Sequence, residues 1–193
     1  MLRKPAVAGS FYPSDAENLN RLIESCFLDG VGFIPELKDF EGDTYPINVM
    51  VPHAGYQYSG AIASHGYCNI VENGFPEVFI ILSPNHTGFG SEISVFNEGE
   101  WITPLGNVEV DSEFADEIIS VSDYASADFQ AHVQEHSIEV QLPFLQYFSS
   151  DFKIVPITME SQTFVTSNDL ANAIFEAGNK LGKSYCVIAS TDL

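Results

Sequence analysis

Apolar positions recur along the chain in two rhythms, one helical and one of short unbroken runs. Leu19, Leu22, Ile23 and Phe27 follow Ser14-Asp15-Ala16-Glu17, which has the form of a capping box, so residues 15–28 are predicted as an amphipathic helix. Residues 29–45, with Gly30, Gly32, Pro35 and Gly42, read as a loop. Continuous, β-branched apolar runs then appear at residues 47–51, 78–82, 152–158 and 185–189. Helical patterns follow the first of these, over residues 61–71, and the third, over residues 169–181. Unbroken apolar strands alternating with helices predict an α/β fold whose central sheet is mainly parallel or mixed and flanked by helices.

A different block lies between the second and third runs. Residues 92–96 and 100–110, broken by Pro104-Leu105-Gly106, predict a short antiparallel excursion. Asp111 is placed to cap a helix over residues 112–121, and residues 122–131 read as a polar loop. Ser137 would cap a helix over residues 138–148, although Pro143 fits poorly beyond its first turn.

Composition narrows the picture. The chain has 193 residues, 45% of them hydrophobic and 12% aromatic, enough for one buried core and too apolar for a disordered chain. Its 27 acidic and 7 basic residues give a net charge of -20, yet only 18% of residues are charged. The imbalance therefore reflects missing Lys and Arg, which disfavours nucleic acid and polybasic membrane binding. No apolar run is long enough to span a bilayer, and the start lacks the apolar stretch of a signal peptide. Cys26, Cys68 and Cys186 are odd in number and far apart, so a reducing, cytoplasmic setting is expected.

Ligands of open α/β sheets bind outside the carboxyl ends of the strands, which ranks the polar residues. His53 lies two residues beyond the first run, His86 four beyond the second, and Asp192 three beyond the fourth. Each has a plain alternative: a turn histidine bonded to backbone, a loop cap, or the cap of a helix. In Glu135-His136-Ser137-Ile138-Glu139, His136 and Glu139 are three apart and would share a helix face. That spacing suits a ligand pair, a histidine oriented by a carboxylate, or a solvated helix start. His65 reads as a packed core histidine, His132 as a loop residue, and Cys68 and Cys186 as core. Nucleotide-binding loops, HExxH and nucleophile elbows are absent. Histidines with a carboxylate at sheet ends point to a divalent metal.

Several motifs resemble the Memo family (AmmeMemoRadiSam system protein B). They are Arg3-Lys4-Pro5-Ala6-Val7-Ala8-Gly9-Ser10-Phe11-Tyr12-Pro13, Val51-Pro52-His53-Ala54-Gly55-Tyr56-Gln57-Tyr58-Ser59-Gly60, Ser83-Pro84-Asn85-His86-Thr87-Gly88, Glu135-His136-Ser137-Ile138-Glu139-Val140-Gln141-Leu142-Pro143-Phe144 and Ser190-Thr191-Asp192-Leu193. The resemblance implies the fold of class III extradiol dioxygenases, which use non-haem iron. It implies His53 and His86 as metal ligands, Asp192 lining the same pocket, and His136 near it. His136 and Asp192 would then be the catalytic side chains, with His136, or the family's histidine beyond Leu193, as acid/base. Iron is the metal implied first, with copper or zinc as alternatives. The expected function is a non-haem metal oxidoreductase acting on a small molecule. The rivals are a non-catalytic metal- or peptide-binding regulator and a metal-dependent hydrolase. The family pattern continues beyond the terminal Asp-Leu into a Ser-His-Tyr-like stretch and a Cys-Gly motif that supplies another ligand. Residues 1–193 are thus expected to form a single Memo-like domain lacking its C-terminal third, with impaired activity.

Overall fold

The computed structural model of the chain describes residues 1–40 and 47–192. Gly42 of the expected loop and Leu193 of the last motif lie outside the described residues. The described elements run β1 (Leu2–Arg3), α1 (Ala16–Gly30), β2 (Val49–Pro52), α2 (Tyr56–Asn73), β3 (Val78–Pro84), β4 (Ile93–Val95), β5 (Glu100–Thr103), β6 (Gly106–Val110), α3 (Ser112–Val121), β7 (Ala125–Ala127), α4 (Leu142–Gln146), β8 (Lys153–Met159), α5 (Phe164–Leu181) and β9 (Tyr185–Thr191).

The strands form one mixed sheet in the order β1-β5-β6-β8-β3-β9-β2. Its centre, β6-β8-β3-β9-β2, is wholly parallel. β5 and β6 make the expected antiparallel hairpin. β4 runs antiparallel to the carboxyl half of β8 and parallel to β7. The protein is therefore α/β, as the apolar runs predict.

Those runs are unbroken because both faces of the sheet are covered. Phe79 and Ile81 of β3 join the core under α1, α2 and α4. Val78 and Ile80 of the same strand join a second core under α3 and α5. Gly60 allows α1 and α2 to pack closely, since a Cβ there would lie 2.3 Å from Cys26 Sγ.

Local chemistry moves several boundaries. Asp15, rather than Ser14, caps α1, because its extended backbone brings Oδ1 within 2.9 Å of the Asn18 amide. Asp111 caps α3 as expected, accepting from the Phe114 amide at 3.0 Å. β3 and β9 each run two residues further than the apolar runs suggest, so His86 lies two residues past its strand and Asp192 directly past its own. The stretch 122–131 is not all loop. It holds β7, which backbone pairing to β4 stabilises despite its weak sequence pattern, and a 3-10 turn at Gln130–His132. The expected helix over 138–148 is corrected most. It divides into a 3-10 turn (Glu139–Gln141) and α4, so that Pro143 falls in the first turn of α4, where no N–H is needed. Ser137 does not cap it; its hydroxyl donates to Glu135 Oε1 at 2.8 Å. His65 is exposed, not core, because the inward stripe of α2 passes through Ala63, Ser64 and Tyr67. No helix among the described residues is long and apolar enough to cross a membrane.

Candidate metal centre

β3, β9 and β2 are adjacent and parallel, so their carboxyl ends open on one side of the sheet. Those ends deliver His86, Asp192 and His53 respectively. The loop before the Glu139–Gln141 turn brings His136 to the same place. Ligand atoms of His53, His86 and His136 lie within 4.8 Å of one another, and this triad could hold a divalent metal ion. The His86 and His136 rings stack with centroids 5.0 Å apart. His53 stands edge-on to both, at 5.2 and 5.5 Å. Asp192 reaches over them, its Oδ1 2.8 Å from His53 Nε2 and its Oδ2 3.2 Å from His86 Nε2.

Glu135 supports this cluster from below. It is fully buried and acts only as an acceptor. Its Oε2 takes the His86 amide at 2.7 Å, and its Oε1 takes the amides of His136 and Ser137 at 2.9 and 3.0 Å. His86 Nδ1 lies 2.9 Å from the same Oε1 and must donate to it. Nδ1 therefore carries the ring proton, and Nε2 is turned towards Asp192 and the other histidines. Burial opposes ionisation of Glu135, but the bonds from His86 and Ser137 hold its pKa at about 2.

The histidines respond differently to these surroundings. Burial pushes His53 below the ordinary histidine value, against the pull of Asp192. Burial likewise lowers His136, against the pull of Glu135. At His86 burial also opposes the charge, but the Glu135 and Asp192 contacts outweigh it and raise the pKa. At Asp192 burial opposes ionisation, yet the contacts to His53 and His86 together outweigh it and lower the pKa.

Other sequence candidates fall elsewhere. Glu139 does not share a face with His136. His136 lies in irregular chain before the turn that begins at Glu139, and Glu139 points beneath the N-terminal segment, where it pairs with Arg3 and accepts from the Ala6 and Val7 amides and Tyr12. His132 is buried in the core, with Nε2 3.1 Å from the Ser94 carbonyl, and burial pushes its pKa down to about 4. All three cysteines are buried and free, and burial pushes the Cys26 and Cys186 thiols up to about 11 and about 12. Sequence reasoning gave no role to Glu135, Ser190 or Gln141. Ser190 lies 3.0 Å from His53 Nδ1, and Gln141 donates to Ser190 at 2.7 Å. One signal was available: Ser190 occupies the inward register of β9 shared by Cys186 and Ile188, where an apolar residue is the rule.

A parallel sheet with histidines and a carboxylate gathered at the ends of neighbouring strands defines an α/β protein with a candidate mononuclear metal site. Comparison narrows the class. A family profile described as Memo-like protein matches residues 3–193. A MEMO1 family protein of Methanobrevibacter smithii is 70% identical over 195 residues, covering 100% of this chain and 69% of the relative. Those of Methanopyrus kandleri and Pyrococcus abyssi are 47% and 50% identical, again over 100% of this chain and over 68% and 65% of the relatives. The chain belongs to the Memo family.

Proposed function

We propose that the chain binds a divalent metal ion through Nε2 of His53 and Nε2 of His86, beside Asp192, as a non-haem metal oxidoreductase centre. One observation carries the reading. His53 Nε2 is a buried nitrogen with no hydrogen-bonding partner among the described residues. The Asp192 carboxylate oxygen Oδ1 lies 2.8 Å from it. A buried lone pair beside a carboxylate calls for a cation. Two neutral imidazoles and one carboxylate form a donor set suited to iron(II), and copper or zinc would also accept the nitrogens.

The bound ion would supply Lewis acidity and redox capacity at positions left open to a small molecule. The side chains have separate tasks. Glu135 holds a proton on His86 Nδ1 and so turns Nε2 to the cluster, 3.2 Å from Asp192 Oδ2. His136 is neutral near pH 7 and can hold or release a proton within the cluster. Phe11 packs edge-on against His136 at 4.8 Å and shields that ring from water.

Elemental analysis of the wild-type chain, His53→Ala and His86→Ala tests the ligand assignment. Metal retained by the wild type and lost from both variants is expected; equal metal in all three removes it. Oxygen uptake with catechol-like substrates tests the redox reading. Metal uptake without oxygen consumption would replace it by a regulatory, metal-binding role.

A further inference from the structure

We infer that Ser190 and Gln141 are positioning residues that lock the His53 ring in its Nδ1–H form, and so decide which nitrogen is offered to the centre. The inference deepens the metal reading and rests on it for its consequence, though not for the state of the ring.

The argument is an account of donors and acceptors. The Pro52 carbonyl can only accept, and it lies 3.1 Å from the Gln141 side-chain amide, so the atom facing it is Nε2. That fixes Gln141 Oε1 towards Tyr67, whose hydroxyl donates to it. Gln141 Nε2 then donates its second proton to Ser190 Oγ at 2.7 Å. The Ser137 carbonyl can also only accept, and Ser190 Oγ lies 2.7 Å from it. The single Ser190 proton is therefore committed to Ser137. Towards His53 Nδ1, 3.0 Å away, Ser190 can present only a lone pair. Nδ1 must therefore carry a proton, which leaves Nε2, 2.8 Å from Asp192 Oδ1, as the nitrogen turned to the centre.

The relay runs Tyr67, Gln141, Ser190, His53, and its members come from α2, the turn before α4, β9 and the loop after β2. Tyr67, Ser190 and His53 are buried, so water cannot substitute for a missing partner. Glu135 sets His86 by charge; this relay sets His53 by direction alone.

The test uses the full chain, with ¹⁵N spectra of the histidine rings in the metal-free state and cobalt(II) titration. The expected wild-type result is a single Nδ1–H form at His53. Ser190→Ala should give a mixture of ring forms and a ten- to hundredfold weaker cobalt(II) affinity, the size usual for lost outer partners of metal ligands. Ser190→Thr keeps the hydroxyl and should restore both. An Nε2–H form in the wild type overturns the inference without any variant. So does an unchanged ring form and affinity in Ser190→Ala. Failure of the two readings is distinguishable. An Nδ1–H ring in a chain that takes up no cobalt(II) leaves the lock standing and removes the metal centre.

Discussion

The N-terminal segment is held down by one buried carboxylate, and Glu139→Gln should release it. Glu139 accepts from Arg3, from the Ala6 and Val7 amides at 2.8 and 3.1 Å, and from the Tyr12 hydroxyl at 2.5 Å. All of these partners are donors. A glutamine keeps one acceptor oxygen and turns an NH₂ group towards the rest. It also leaves the Arg3 guanidinium buried with no anion, and the Arg3 side chain is only 1% exposed. Removing one member of a buried pair costs about 4 kcal/mol, a roughly thousandfold fall in the folded-to-unfolded ratio. For a chain of this size the melting temperature should drop by about 8–16 °C. Arg3 also donates to the backbone carbonyls of His132 and Glu135, so the loss should spread towards the histidine cluster. The assay is urea unfolding of wild type, Glu139→Gln, Arg3→Met and the double variant. Because the two side chains touch, a coupling of about 2 kcal/mol is expected, with the double variant less damaged than the sum. A loss below about 1 kcal/mol in Glu139→Gln, or strict additivity, would refute the reasoning.

Three further outcomes follow from the same contacts. His132 is held at about 4, so the unfolded chain binds its proton first as pH falls. Its contribution is full above pH ~6.5 and lost towards pH 4; between pH 7.5 and 5 the wild type should lose about 2 kcal/mol more than His132→Gln in paired urea titrations. Glu135→Ala removes the acceptor that fixes His86 Nδ1–H, and cobalt(II) affinity should fall ten- to hundredfold; unchanged affinity would show that His86 needs no such support. Gly60→Ala should destabilise the chain by about 2 kcal/mol, because the new methyl meets Cys26 Sγ at 2.3 Å. Cys26→Ala in the same chain should recover most of that loss in thermal melts, and no recovery would place the strain elsewhere.

What sequence could reveal here was set by the range of the interactions involved. Buried parallel strands announce themselves locally, since a strand covered on both faces must be apolar at consecutive positions, as residues 78–82 are. The sheet-end rule then brings His53, His86 and Asp192 together without any knowledge of contacts, because it needs only the strand ends. The orienting groups follow no local rule. Glu135 meets His86 across 49 residues and Ser190 meets His53 across 137. A polar residue beside a histidine in sequence is no guide to these pairs. Glu139 shows the opposite error: its three-residue spacing from His136 matters only if one helix holds both, and His136 lies in irregular chain before the turn that begins at Glu139. Arg3 was visible as one of 7 basic residues and as the start of a family-like motif, with nothing local to mark it as buried. Scarcity is itself informative in such a chain. With 27 acidic side chains competing for few cations, burying an arginine against Glu139 commits a scarce charge to structure. The histidines at the strand ends are then left among the few groups able to offer neutral nitrogen to a cation.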